Sequence, residues 1–139
     1  MKKIFFLGWF LLYVLNALTG YFVHHVLLGS QYRAIASDLH SNVMSRLWAF
    51  ILISIVGSFF YTFFFSQLKR YHSIKGGMLF GLLAGIWLTT GEYLSAYASS
   101  DAISLNLAME WIILGILQYI IAGLILGLLF GYQKKGVLE

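Results

Sequence analysis

The side chains of this chain that are best suited to chemistry are polar or ionisable groups placed within or beside long apolar segments. A charged group is costly in the hydrocarbon layer of a membrane, so such residues commonly mark a substrate path, a proton relay or a ligand site. The candidates for ligand binding are one histidine, one arginine, two glutamates and one tyrosine: His24, Arg46, Glu92, Glu110 and Tyr93. They lie at similar predicted depth, which suggests a shared pocket.

Glu92 is the deepest of these groups. Counting about 1.5 Å of helical rise per residue from Gly77 places it about 22 Å along its segment, below the predicted membrane boundary. The spacing of Gly81, Gly85 and Glu92 predicts that all three share one helical face. We therefore expect Glu92 to point toward protein, near His24 of the first segment.

Three interpretations of this cluster are open. The first is a structural ion pair between Arg46 and either Glu92 or Glu110. The second is a ligand or proton site at Glu92 and His24. The third is a metal site with His24 and Glu92 as ligands, because imidazole and carboxylate groups suit zinc or iron. The sequence has no histidine or carboxylate pair at metal-ligand spacing to favour the third.

Four apolar runs must position these side chains, and they fill most of the chain: residues 4–28, 47–66, 78–98 and 107–132. Each run has the length of about 20 residues that a helix needs to cross a bilayer. The chain is 60% hydrophobic and 10% charged, which leaves little material for a soluble domain. These features predict a single all-α domain over residues 1–139, an integral membrane bundle of four transmembrane helices.

The distribution of lysine and arginine predicts the orientation of the bundle. Basic residues precede the first run, fill the connector at 69–75 and follow the fourth run at Lys134 and Lys135. Because cytoplasmic connectors carry the excess of basic residues, both termini are expected in the cytoplasm, most naturally of a bacterial cell. The first outer connector, in which apolar residues recur every four positions from Ile35 to Leu47, is expected to form a short amphipathic helix.

Small residues predict how the last two helices pack. Glycines recur every four residues in the third run, at Gly77, Gly81 and Gly85, and in the fourth run, at Gly123, Gly127 and Gly131. Such ladders let helix backbones approach closely in a membrane. They predict close contact between helices 3 and 4, or alternatively contact with a second copy or a larger membrane complex. Near the midplane, Asn16 and Gln118 are expected to form hydrogen bonds between helices.

Composition also limits the function. The chain has no cysteine, which excludes disulfides, thiolate metal sites and thiol redox chemistry. Its basic residues lie between the apolar runs, so they favour lipid headgroups rather than nucleic acid as partners. No nucleophile occurs at a recognisable catalytic spacing, so an enzyme is the less expected class, and no cofactor is indicated.

We therefore expect a small membrane binding or accessory protein, which holds a hydrophobic ligand, a lipid or a partner subunit in an outer-leaflet pocket. The alternative is a small proton- or cation-coupled transporter with Glu92 as the coupling site.

Overall fold

The protein is an all-α bundle whose helices are each long and apolar enough to cross a membrane. The computed structural model describes residues 2–23 and 47–134. Within them, the helices are α1 (Lys2–Tyr21), α2 (Leu47–Gln67), α3 (Ile74–Ser99) and α4 (Leu105–Lys134), with a short 3-10 helix at Lys69–Tyr71. The predicted all-α fold with four membrane-length apolar helices is thus confirmed. Residues 24–28 of the first predicted run lie outside the described residues. The amphipathic helix predicted in the first connector lies outside the described residues.

Serine side chains define where the last two helices begin. The Ser73 hydroxyl accepts a hydrogen bond from the backbone N–H of Gly76 at 3.1 Å, and the Ser104 hydroxyl accepts one from Leu107 at 3.2 Å. Both bonds satisfy a backbone donor that has no partner within the first helical turn. The connectors that lead into α3 and α4 are short, and these two helices run antiparallel, since Gly77 lies against Gly123 and Gly81 against Tyr119.

The closest helix contact is between α3 and α4. It contains Gly77, Gly81 and Gly85 of one glycine ladder and Gly123 and Gly127 of the other. A methyl group added at Gly77 would collide with the carbonyl oxygen of Gly123, and one added at Gly81 would collide with that of Tyr119. The two backbones therefore touch directly, which confirms the predicted contact of helices 3 and 4. In the structure these glycines pack within one chain. Association of two copies through them therefore stays a prediction.

A cluster of aromatic rings joins α2 to this hairpin. Phe65 of α2 is fully buried. Its ring lies 5.3 Å from that of His72, 5.3 Å from that of Phe80 and 5.6 Å from that of Phe130, measured between centroids. Since the buried residues of α2 all lie between Ser58 and Phe65, the bundle is tightest at this end.

The remaining surface of the bundle is strongly apolar. Large hydrophobic side chains are exposed along every helix, including Phe10 on α1, Phe64 on α2, Trp87 on α3 and Ile113 on α4. A water-soluble protein rarely exposes continuous apolar surface of this extent. In a bilayer the same side chains contact acyl chains, which is the environment that their composition requires.

Candidate functional site

Charged side chains are separated between the two ends of the bundle. In the described residues, the acidic groups are Glu92, Asp101 and Glu110, all near the connector between α3 and α4. The basic residues of the same part of the chain lie at the opposite end, in the first turn of α1, in the connector before α3, in the first turn of α3 and at the end of α4: Lys2, Lys3, Lys69, Arg70, Lys75 and Lys134. We call these the acidic end and the basic end.

A small cavity lies between α1, α3 and α4, toward the acidic end. Its volume is about 30 Å³, and seven residues line it: Gly20, Val23, Tyr93, Trp111, Leu114, Gly115 and Gln118. We call it the Tyr93 cavity. A cavity of about 10–15 Å³ on this measure is enough for one water molecule, so this one has room for one or two waters or for a single small polar group.

Close packing of α3 against α4 sets the position of Tyr93. The rings of Tyr93 and Trp111 lie 5.2 Å apart between centroids, tilted by 47°. Gly115 leaves the space for this arrangement, because a methyl group there would lie 2.6 Å from the Thr89 side chain and 3.7 Å from the Tyr93 ring. Thr89 is itself fixed by a 2.7 Å hydrogen bond from its hydroxyl to the carbonyl of Gly85.

Gln118 forms the link between the cavity and a chain of polar side chains in the middle of the bundle. Its Nε2 donates to Asn16 Oδ1 at 2.8 Å, and Asn16 Nδ2 donates to Ser58 Oγ at 2.8 Å. The Ser58 hydroxyl in turn donates to the backbone carbonyl of Ser54 at 2.6 Å. The predicted hydrogen bonding of Asn16 and Gln118 between helices is thus confirmed, and it joins α1, α2 and α4.

The chemistry available in the Tyr93 cavity is hydrogen bonding rather than covalent catalysis. Its lining offers a phenol, an indole N–H and a carboxamide, of which the indole can only donate and the other two can donate or accept. A ligand hydroxyl, amine or carbonyl could bond to these groups, while the aromatic faces and Leu114 would contact apolar atoms. The arrangement therefore suits recognition of a polar group attached to a hydrophobic body.

Of the ligand-binding residues predicted from sequence, Tyr93 alone among the described ones lines this cavity. Glu92 is exposed, so the prediction that it points toward protein was wrong. The contact stripe of α3 continues from Gly85 through Thr89 to Tyr93, in steps of four residues. Rows at this spacing are the usual contact rows of packed helices. Each four-residue step turns the row by about 40° around the helix, so the row moves away from Glu92, which lies about 60° from Thr89 and about 100° from Tyr93.

The other predicted site residues do not converge on the cavity within the described chain. Glu110 is half-buried near the start of α4 and takes part in a further interaction, as do Tyr93 and Trp111. His24 and Arg46 lie outside the described residues, so their proximity to Glu92 or Glu110 stays a prediction. The described part of the chain brings together no group of three metal-ligating side chains.

Sequence reasoning missed several residues of the cavity. The sequence did not indicate that Gly20, Leu114 or Gly115 would line a cavity, because each is an ordinary residue of an apolar helix. Gln118 was identified, but only as a structural hydrogen-bonding residue. The spacing of Trp111, Gly115 and Gln118, at four and then three residues, places them on one face of α4 and was the one available indication.

No protein-family model, curated protein or solved structure matches this chain. A function can therefore be argued only from the geometry of the bundle and the chemistry of its side chains.

Proposed function

We propose that this chain is a small binding or accessory protein of the membrane, which holds a hydrophobic ligand, a lipid or a partner subunit at its acidic end. The observation that carries the proposal is the Tyr93 cavity, where a phenol, an indole and a carboxamide meet between three helices. Such a combination of apolar walls and a few convergent polar groups is typical of ligand sites.

The size of the cavity limits what enters it. A space of about 30 Å³ takes one polar group of a ligand, not a whole molecule. The hydrophobic remainder would lie on exposed apolar side chains of the neighbouring helices, for example Leu18 of α1 and Leu117 of α4. The occupant would then be an amphiphile with a small polar head, or a side chain presented by a partner helix.

The separation of charge favours one orientation in the membrane. If the basic end faces the cytoplasm of a bacterial cell, as the positive-inside rule expects, both termini are cytoplasmic and the Tyr93 cavity opens toward the outer leaflet. The ligand would then come from the outer leaflet or from a partner that spans it.

Native mass spectrometry of the gently extracted protein tests this proposal. We expect a bound molecule or subunit on the unmodified chain that is lost in Tyr93→Ala. The matched control is Tyr97→Ala, since Tyr97 lies one turn further along α3, is exposed and does not line the cavity. Equal retention by both variants and the unmodified chain would contradict the proposal.

A Glu92→Gln variant in the same series separates the two candidate functions. The binding proposal needs the lining of the Tyr93 cavity, whereas the coupled-transporter alternative needs an ionisable group at Glu92. Metal analysis of the same samples tests the metal interpretation, in which a bound ion would be lost in Glu92→Gln. Loss of proton-coupled uptake in Glu92→Gln liposomes, with normal retention in Tyr93→Ala, would favour the transporter.

A further inference from the structure

An open groove lies at the basic end of the described bundle, away from the Tyr93 cavity. It is a groove of about 640 Å³ between the start of α3 and the last turns of α4. Its lining consists of His72, Ser73, Ile74, Lys75, Gly127, Leu128, Gly131 and Tyr132. We call it the Lys75 groove. Its volume lies within the usual range for sites that bind molecules of a few hundred daltons.

Two glycines of α4 create the groove. Gly127 packs directly against the backbone of Ser73, where a methyl group would collide with the Ser73 carbonyl oxygen. One turn later the helices separate, and a methyl group at Gly131 would make only ordinary contacts, the nearest at 3.5 Å from the His72 carbonyl oxygen. The backbone of α4 thus forms a floor without side chains beside a widening gap.

The lining divides into a charged part and an apolar part. Lys75 is exposed at the edge, and it forms no hydrogen bond or ion pair with another described residue. Arg70, by contrast, already donates to the Tyr71 hydroxyl at 2.9 Å. Ile74 and Leu128 supply hydrocarbon surface, and Tyr132 adds an exposed aromatic ring of the kind found at membrane interfaces.

His72 is a fixed wall of the groove. Its Nε2 lies 3.1 Å from the carbonyl oxygen of Phe65, and its ring stacks on the Phe65 ring. A carbonyl oxygen can only accept a hydrogen bond, so Nε2 must carry the proton and donate. Nδ1 is then the ring nitrogen left for a ligand, and the imidazole holds the connector in the position that leaves the groove open.

We propose that the Lys75 groove binds an anionic phospholipid, with its phosphate at the Lys75 ammonium and an acyl chain along Ile74 and Leu128. Charge favours this occupant, because the described residues of the basic end include six lysines and arginines and none of the described acids. A lysine beside a membrane surface adds about fivefold to its affinity for anionic lipid. This site is separate from the Tyr93 cavity and does not depend on the function proposed for it.

Native mass spectrometry with added lipid tests this assignment on the full chain in detergent. We expect phosphatidylglycerol to bind in preference to phosphatidylcholine, and Lys75→Gln to reduce that preference about fivefold. The control is Lys69→Gln, which removes one charge from the same connector but none from the lining of the groove. Equal losses in both variants would mean a diffuse basic surface and would overturn the proposal.

A second variant tests the apolar part of the groove without changing charge. Gly131→Leu would place a side chain in the gap and is expected to reduce phosphatidylglycerol binding, whereas Gly91→Leu, at an exposed glycine with no neighbour within 4 Å, should not. Inorganic phosphate serves as the competitor. If phosphate displaces the lipid at equal concentration, the groove holds free anions only. If Gly131→Leu binds phosphatidylglycerol normally, the lipid does not lie in the groove. Either result would overturn the lipid assignment.

Discussion

Gln118 of α4 donates a 2.8 Å hydrogen bond to Asn16 of α1, and this contact joins residues 102 positions apart in the sequence. Asn16 passes the connection to Ser58 of α2. Amides and hydroxyls in a lipid-exposed bundle must find partners within the protein, because acyl chains offer none. The contact therefore sets which helices pair and at what register.

Breaking this contact should reveal an energetic coupling between the two residues. In a double-mutant cycle of Asn16→Leu and Gln118→Leu, we expect a coupling of about 0.6–1.7 kcal/mol in the free energy of unfolding, the range of such bonds in membrane helices. Unfolding in mixed detergent micelles measures it. Thr19→Ala is the control, since the Thr19 hydroxyl bonds only within its own helix. The control cycle combines Thr19→Ala with Gln118→Leu. A coupling energy in this cycle as large as that between Asn16 and Gln118 would contradict the interpretation.

The glycine ladder should tolerate no added carbon where backbones touch. Gly81→Ala places a methyl group against the carbonyl oxygen of Tyr119, so α3 and α4 must separate, and we expect a loss of about 1–3 kcal/mol in unfolding free energy. Gly91→Ala is the matched control on the same helix, because nothing lies within 4 Å of its added methyl group. Since alanine favours helix more than glycine, this control should be neutral or stabilising.

These two contacts show what sequence patterns could predict. The four membrane-length helices, the α3–α4 glycine contact and the interhelical hydrogen bonding of Asn16 and Gln118 followed from run length, four-residue spacing and the need of buried amides for partners. That these two amides bond to each other is seen only in the structure. The direction of the Glu92 side chain could not be predicted, because it depends on which row of α3 residues packs against α4. In the structure this row contains Thr89 and Tyr93. The Lys75 groove depends on how the 69–75 connector meets α4, which no local pattern encodes.

Thr62 of α2 provides a test of buried polarity. Its side chain is fully buried, and its hydroxyl oxygen has no hydrogen-bond partner among the described residues. A buried hydroxyl without a partner costs about 1–3 kcal/mol. Thr62→Val, which keeps the shape, should therefore stabilise the protein, measured by the same unfolding assay.

Thr89 is the control for that substitution. It is equally buried, but its hydroxyl bonds to the Gly85 carbonyl, so Thr89→Val should be neutral or destabilising. Destabilisation by Thr62→Val to the same extent as by Thr89→Val would show that the Thr62 hydroxyl is satisfied in the membrane.

The charge separation gives a prediction about sidedness. Since the chain has no cysteine, single cysteines at Gln67, near the basic end, and at Ser99, near the acidic end, can be labelled without background. In intact bacterial cells a membrane-impermeant thiol reagent should label Ser99→Cys, and should label Gln67→Cys only after permeabilisation, as the positive-inside rule requires. The reverse pattern would place the Tyr93 cavity in the cytoplasmic leaflet.

The most direct test of the proposed function is photocrosslinking from beside the Tyr93 cavity. A benzophenone amino acid at position 117 in living cells leaves the cavity lining intact and reacts with the hydrophobic body proposed to lie there, and the same probe at position 97 reports exposed surface outside the cavity. We predict one discrete adduct, a lipid, small molecule or protein, that forms at 117, is absent at 97 and is lost in Tyr93→Ala. The same mixture of membrane lipids at both positions would contradict a specific binding site.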